Sequence, residues 1–208
     1  MEAVLDLYEE PYDPSRPVVC FDERPCQLVG HTREPLPMAE GRPAREDHEY
    51  ERNGMAHLFM AFEPLGGWRS VEVHQRRRAG EFARAIAHLA EDLYPKAEKI
   101  RLVVDNLNIH TPASFYEAFE AERARQLSRR IEFVYTPVHG SWLNMVEIEL
   151  SVLVRQCLRR RIPEAETLGG EAQAWCEERN RLGASVDWRF TIADARAKLR
   201  KLYPSIEC

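Results

Sequence analysis

The chain has 208 residues, 44% of them apolar, 9% aromatic and 30% charged, with a net charge of −5. That balance excludes an intrinsically disordered chain, and no run approaches the roughly 18–20 apolar residues that a bilayer span requires. Met1-Glu2-Ala3-Val4-Leu5-Asp6 lacks the basic region and apolar core of a secretion signal, so a cytoplasmic protein without a membrane partner is expected. Cys20, Cys26, Cys157, Cys176 and Cys208 are scattered and form no Cys-x-x-Cys pair, which argues for idle thiols rather than a zinc ribbon or redox motif.

Residues 1–16 are acidic, carry Pro11 and Pro14, and read as an arm or linker ahead of a single domain over residues 17–208. Val18-Val19-Cys20-Phe21-Asp22 is a short β-prone apolar run with an aspartate at its exit, and Cys26–Val29 reads as its hairpin partner. Residues 31–53 hold Pro35, Pro37 and Pro43 and read as a long loop or lid. Met55–Phe62 and Trp68–His74 predict two strands joined at Gly66-Gly67.

The period then changes. Phe82, Ile86, Leu89 and Leu93 recur at helical spacing until Pro95. Ile100–Val104 is a buried, parallel-type strand running into Asp105, Pro112 to about Gln126 is helical, and Ile131–Tyr135 is another strand. Helices are expected from Asn144 to Arg161, Glu164 to Leu182 and Ile192 to Leu202. Three antiparallel strands followed by strand–helix alternation predict an α/β domain with a mixed sheet flanked by helices.

Three carboxylates fall where such a sheet brings them together: Asp22 and Asp105 at strand ends, and Glu147 in the first turn of a helix. Hard cations prefer oxygen ligands, so this set suits Mg²⁺ or Mn²⁺, and a pair of such ions can drive phosphodiester chemistry. Each residue also has a structural reading. A strand-end aspartate forms turns, and Glu147 three residues after Asn144 matches a capping arrangement. The net charge is unevenly spread, −7 over residues 1–50 and +3 over residues 151–208. Arg76-Arg77-Arg78, Arg129-Arg130 and Arg159-Arg160-Arg161 are either solvated helix faces or cationic patches able to meet a DNA backbone.

The local sequences are more specific. Phe21-Asp22-Glu23, Val103-Val104-Asp105-Asn106-Leu107-Asn108-Ile109-His110 and Pro137-Val138-His139-Gly140-Ser141-Trp142-Leu143-Asn144-Met145-Val146-Glu147 resemble the three catalytic blocks of bacterial insertion-sequence 630 family transposases, within the mariner superfamily. Tyr50-Glu51-Arg52-Asn53-Gly54 is similar as well, and 41 residues separate the second and third acids. The resemblance covers about residues 17–203 and implies a ribonuclease-H-like fold with an Asp-Asp-Glu metal site. It implies two Mg²⁺ or Mn²⁺ ions held by Asp22, Asp105 and Glu147, and cleavage and strand transfer of DNA at transposon ends and target. A homodimer on DNA follows from the same resemblance. Asn106, His110 and His139 are candidates to orient a ligand, phosphate or water beside those acids. Arg76, Arg77, Arg78, Arg159, Arg160 and Arg161 are candidates to contact DNA. Glu149 is a competing acid on another helix face, and Trp142 is expected to be a core anchor.

Relatives carry a helix-turn-helix region before the catalytic domain, and it is not found in this sequence. Weak, salt-sensitive DNA binding is therefore expected of the chain alone. Two other readings stay open: a non-catalytic remnant that interferes with an intact transposase, and a structure-specific nuclease of the same fold.

Overall fold

A computed structural model describes residues 1–200. Helix α1 (Glu2–Glu9) is followed by strands β1 (Val18–His31), β2 (Tyr50–Glu63) and β3 (Trp68–His74), then by α2 (Ala79–His88), whose last turn widens over Leu89–Leu93. Strand β4 (Ile100–Val104), α3 (Ala113–Ala118), α4 (Ala121–Arg130) and β5 (Ile131–Tyr135) come next, then α5 (Val146–Gln156), α6 (Ala165–Arg181) and α7 (Ile192–Lys198). The sheet order is β3-β2-β1-β4-β5, with β1–β2 and β2–β3 antiparallel and β1–β4 and β4–β5 parallel. This is the mixed sheet expected.

Strand alternation divides the core into two layers. Val19, Phe21, Phe59, Leu102 and Val104 pack on Phe82 and Ile86 of α2, Phe115 of α3 and Leu127 of α4. Cys20, Leu28, Leu58, Met60 and Val103 pack on Val146, Leu150 and Leu153 of α5, Leu168 and Ala172 of α6, and Val4 and Leu5 of α1. Each fully buried Phe or Leu contributes about 1.5–3 kcal/mol. None of the described helices is long and apolar enough to cross a membrane.

Four expectations need correction. Cys26–Val29 is no hairpin partner: β1 runs on through Glu23-Arg24-Pro25 as one strand of 14 residues, because β2 is equally long and pairs with it from Cys20↔Phe62 to His31↔Tyr50. Only Val18–Cys20 pair with β4, so Pro25 lies where β1 has become an edge, a place that tolerates proline. Residues 1–16 are not a bare arm, since α1 buries Val4, Leu5 and Leu7 in the core. The predicted helix over 112–126 is two, α3 and α4, and the one expected to reach Arg161 stops at Gln156. The end of the helix predicted to reach Leu202 lies outside the described residues, as does Cys208.

Candidate active site

Cys20 of β1 pairs with Val103 of β4 in a parallel ladder. Asp22 is not at a strand exit as expected but inside β1, two residues past its last pair with β4, because β2 keeps β1 extended, while Asp105 leaves the carboxyl end of β4 beside it. Ends of this kind are where α/β sheets place their ligand sites. By alternation Asp22 shares the side of Cys20, which faces α5, and α5 carries Glu147 in its first turn. Two hydrogen bonds set the start of α5 against the sheet. The buried Asn144 donates from Nδ2 to the Phe21 carbonyl at 2.8 Å, and the Tyr8 hydroxyl of α1 donates to the Leu143 carbonyl at 2.8 Å. Asn144 therefore does not cap the helix with its side chain. It ties the Ser141-Trp142-Leu143 turn to the residue next to Asp22.

The three acids share an electrostatic environment. Burial pushes the Asp22 carboxyl up to about 7, and the charges of Glu23, Asp105 and Glu147 add to the rise while the Glu23 amide, 2.7 Å from Oδ1, opposes it. Asp105 moves the other way. Its hydrogen bond with His110 holds it below the ordinary carboxylate range, helped by the Leu107 amide 3.0 Å from Oδ1 and by the charge of Arg77. His110 Nδ1 lies 2.7 Å from Asp105 Oδ1, while Nε2 lies 3.0 and 3.1 Å from the two oxygens of Glu23. Burial alone would favour the neutral ring, but the bonds to Asp105 and Glu23 outweigh it and push His110 up to about 9. Neighbouring carboxyls thus have their proton affinities driven apart, a recurrent property of catalytic acids.

Glu149 is not a rival for the site. It is 1% exposed and meets three groups: Arg69 Nε at 3.1 Å, and Arg179 Nε and Nη2 at 3.0 and 2.8 Å. Arg69, also 1% exposed, further donates to Asn180 Oδ1 at 3.1 Å and to the Ala184 carbonyl. Glu149 locks α5 to β3 and α6, and leaves Glu147, two residues earlier, as the acid toward Asp22 and the end of β4.

The other sequence-predicted residues separate. Asn106 donates its amide to the Thr136 carbonyl and so braces the end of β4 against the end of β5. His139 is exposed in a left-handed conformation (φ 62°), and lines an open cleft of about 290 Å³ with Asp105, Asn106 and Ser141. Trp142 is 40% exposed and meets Phe190 edge-on, so it is a rim residue and not the expected core anchor, the Ser-Trp-Leu turn carrying Leu143 inward in its place. Of the first arginine cluster, Arg77 is the member whose charge reaches Asp105, and Arg76 and Arg78 are exposed beside it. Of the second, Arg160 pairs with Glu171 and Arg161 donates to the carbonyls of Asp47 and Glu49, fastening the 32–49 loop. Arg159 has no acid partner among the described residues. It lines a groove of about 540 Å³ with Arg24 and Arg160.

Sequence reasoning assigned Glu23 no role, although it named the block Phe21-Asp22-Glu23 that contains it. The alternation that turns Asp22 toward α5 turns Glu23 with Phe21 into the opposite layer, where an acid must find a partner. Arg24 was missed too, because the stretch around it was read as a turn.

A family model for DDE superfamily endonucleases matches residues 17–169. The chain belongs to the DDE superfamily endonuclease family. Among solved structures it is similar to the Mos1 mariner paired-end complex with Mn (16% identity, TM-score 0.55), the Mos1 strand transfer complex (18%, 0.57) and a Mos1 transposase paired-end complex with left transposon end (17%, 0.57). In each case 88% of this chain is covered, against 54–55% of the Mos1 chain, so the protein spans about half the length of these relatives. At this identity the likeness is one of fold, and the fold is ribonuclease-H-like. No curated protein matches the sequence.

Among the described residues no three His, Cys, Asp or Glu side chains stand close enough together to enclose an ion. The donor chemistry of the three candidate acids nevertheless fits a divalent cation. Asp22, Asp105 and Glu147 offer oxygen only, their like charges oppose one another, and Asp105 keeps Oδ2 clear of the donors gathered on Oδ1.

Proposed function

We propose that this chain is the catalytic domain of an insertion-sequence 630 type transposase, the expected domain of residues 17–208 being joined by α1, which packs into its core, and that it is cytoplasmic and acts on transposon-end and target DNA as a metal-dependent nuclease and strand transferase. The observation that carries the proposal is geometric: β1 and β4 pair in parallel just before Asp22 and Asp105, and Asn144 ties the start of α5, which bears Glu147, to the Phe21 carbonyl next to Asp22. Acids from β1, the end of β4 and the first turn of α5 thus lie near enough to influence one another's charge. Asp22, Asp105 and Glu147 would hold Mg²⁺ or Mn²⁺, two ions being the family expectation. Bound there, such ions supply Lewis acidity for activating water or a 3′-hydroxyl and for neutralising the leaving oxygen.

The chain's own groups do the rest. The hydrogen bond from His110 holds Asp105 below the ordinary carboxylate range, which favours the anionic form that a cation would bind. Asn144 and Tyr8 set Glu147 opposite Asp22 before substrate arrives, which lowers the reorganisation required. Arg77 beside Asp105, and Arg24 with Arg159 in the groove, offer positive charge to a phosphate backbone. Pairing of two protomers on DNA belongs to the same proposal and follows from the family resemblance.

The test is calorimetric titration of Mn²⁺ into the wild-type chain and Asp105→Ala, with and without a short duplex, followed by strand-cleavage and strand-joining assays. Binding and cleavage by the wild type, both lost in Asp105→Ala, are expected. A wild type that neither binds Mn²⁺ nor cuts DNA with duplex present is a fold-only relic, and the proposal fails.

A further inference from the structure

Behind Asp105, on the side of the sheet away from Glu147, a polar pair sits in an otherwise apolar layer. The side chains of Glu23 and His110 are both 0% exposed. Around them stand Phe21 and Phe82, their ring centroids 6.1 and 4.7 Å from the imidazole. A buried carboxylate and imidazole are costly to desolvate, and apolar side chains of similar volume would fill this layer at least as well. Stability alone does not account for the pair.

Its geometry does. An imidazole flanked by aromatic rings can still present either edge of the ring to its surroundings. Here both ring nitrogens are taken: Nε2 by the two Glu23 oxygens at 3.0 and 3.1 Å, and Nδ1 by Asp105 Oδ1 at 2.7 Å. With Glu23 behind it, the ring cannot turn without breaking contacts at both ends. Asp105 Oδ1 thereby receives two donors, the imidazole and the Leu107 amide at 3.0 Å, and Oδ2 is the oxygen left for a ligand. Partners of this kind behind a ligating residue commonly change affinity by about 10–100-fold.

We propose that Glu23 is a positioning residue for the reaction at Asp105, acting through His110 to fix which carboxylate oxygen Asp105 presents. The inference rests on the functional reading above, and it adds to that reading a group that touches neither DNA nor the reacting atoms.

The experiment compares the full-length wild type with Glu23→Leu and Glu23→Gln. Glu23→Gln keeps an oxygen that can accept from Nε2, whereas Glu23→Leu keeps the volume and loses the acceptor. Three quantities are measured: thermal stability, Mn²⁺ affinity by calorimetry with duplex present, and the ¹⁵N signals of the His110 ring in the metal-free protein. Glu23→Leu is expected to fold and melt close to the wild type, to weaken Mn²⁺ binding about 10-fold, and to show a His110 ring averaged over more than one state. Glu23→Gln is expected to restore a single ring state and most of the affinity. In cleavage assays the loss should fall on kcat, with KM for DNA unchanged.

Wild-type Mn²⁺ affinity and an unaltered His110 signal in Glu23→Leu would show Glu23 to be only a buried structural acid and overturn the inference. If Glu23→Leu does not fold, Glu23→Gln decides: a His110 signal and Mn²⁺ affinity that follow the retained acceptor support the role, and loss of both despite it overturns the role. Failure of the wild type itself to bind Mn²⁺ removes the functional reading and this inference together, and is told apart because it precedes any substitution.

Discussion

Two pairs of acids, each separated by one or two residues, have opposite surroundings. Asp22 and Glu147 lie near the end of β4, partly exposed, with no cation paired to either in the described residues. Glu23 and Glu149 are buried and fully engaged, the first by His110 and the second by Arg69 and Arg179. Secondary-structure geometry alone separates them, since one residue on a strand reverses the face and two residues on a helix turn the side chain by about 200°. The buried pair of acids builds the frame. The half-buried pair brings like charges near one another, an arrangement that adds nothing to stability by itself and that a bound cation would relieve.

The comparison can be broken most severely at the acids of the candidate site. Asp22→Ala or Asp105→Ala should reduce metal-dependent strand cleavage by about 10³-fold or more while leaving the circular dichroism spectrum native. Equal activity in either variant would remove that residue from the chemistry. Next comes the paired side. Glu149→Ala leaves Arg69 buried without its acid, so chemical denaturation should show a loss of about 3–5 kcal/mol. A loss under about 1 kcal/mol would mean that the Arg69–Glu149–Arg179 cluster does not hold α5.

A smaller effect has the opposite sign. Asp22 binds its proton more tightly folded (about 7) than in an unfolded chain (about 3.8). Below about pH 4 the carboxyl is neutral in both states and costs nothing. Between pH 4 and 7 the unfolded chain alone ionises, so stability falls as pH rises, and above 7 the full penalty is present. Asp22→Asn should therefore stabilise the metal-free chain by roughly 1–2 kcal/mol at pH 8 and leave it unchanged near pH 4, read from urea midpoints at the two pH values. An equal change at both would assign the effect to packing. The smallest change is expected for Tyr8→Phe, which removes the donor to the Leu143 carbonyl and should lower stability by about 1 kcal/mol. Cleavage should fall as well if α1 helps place Glu147, and a loss confined to stability would make α1 only a cover for the core.

Much of this was legible in the sequence because its information is local. The apolar runs before Asp22 and Asp105 announce buried strands, and the three acids lie in short blocks whose neighbours resemble a known family. What escaped depends on partners distant in the chain. Glu23-Arg24-Pro25 looks like a turn until β2 is seen to pair along its whole length. Pro11 and Pro14 drew attention from Val4, Leu5 and Leu7, which are spaced for one helix face. Trp142 has a core residue's chemistry, but the turn that buries Leu143 leaves it at the rim. Arg161 belongs to a cationic run, yet it is consumed by two loop carbonyls that no local pattern reveals.

The engagement of Glu149 also constrains how this protein can vary in length. The latch to the Phe21 carbonyl, the third acid and the ion-paired glutamate occupy positions 144, 147 and 149 of one continuous segment. Residues added or removed between Thr136 and Gly140 lengthen or shorten a surface loop and carry all three along together. One residue inserted between Asn144 and Glu149 turns everything after it by about 100° and sets the latch and the ion pair at odds. The 41-residue separation of the second and third acids is therefore elastic in its loops and rigid over its last few residues. A library of single-residue insertions scored for folding should show that boundary near Asn144.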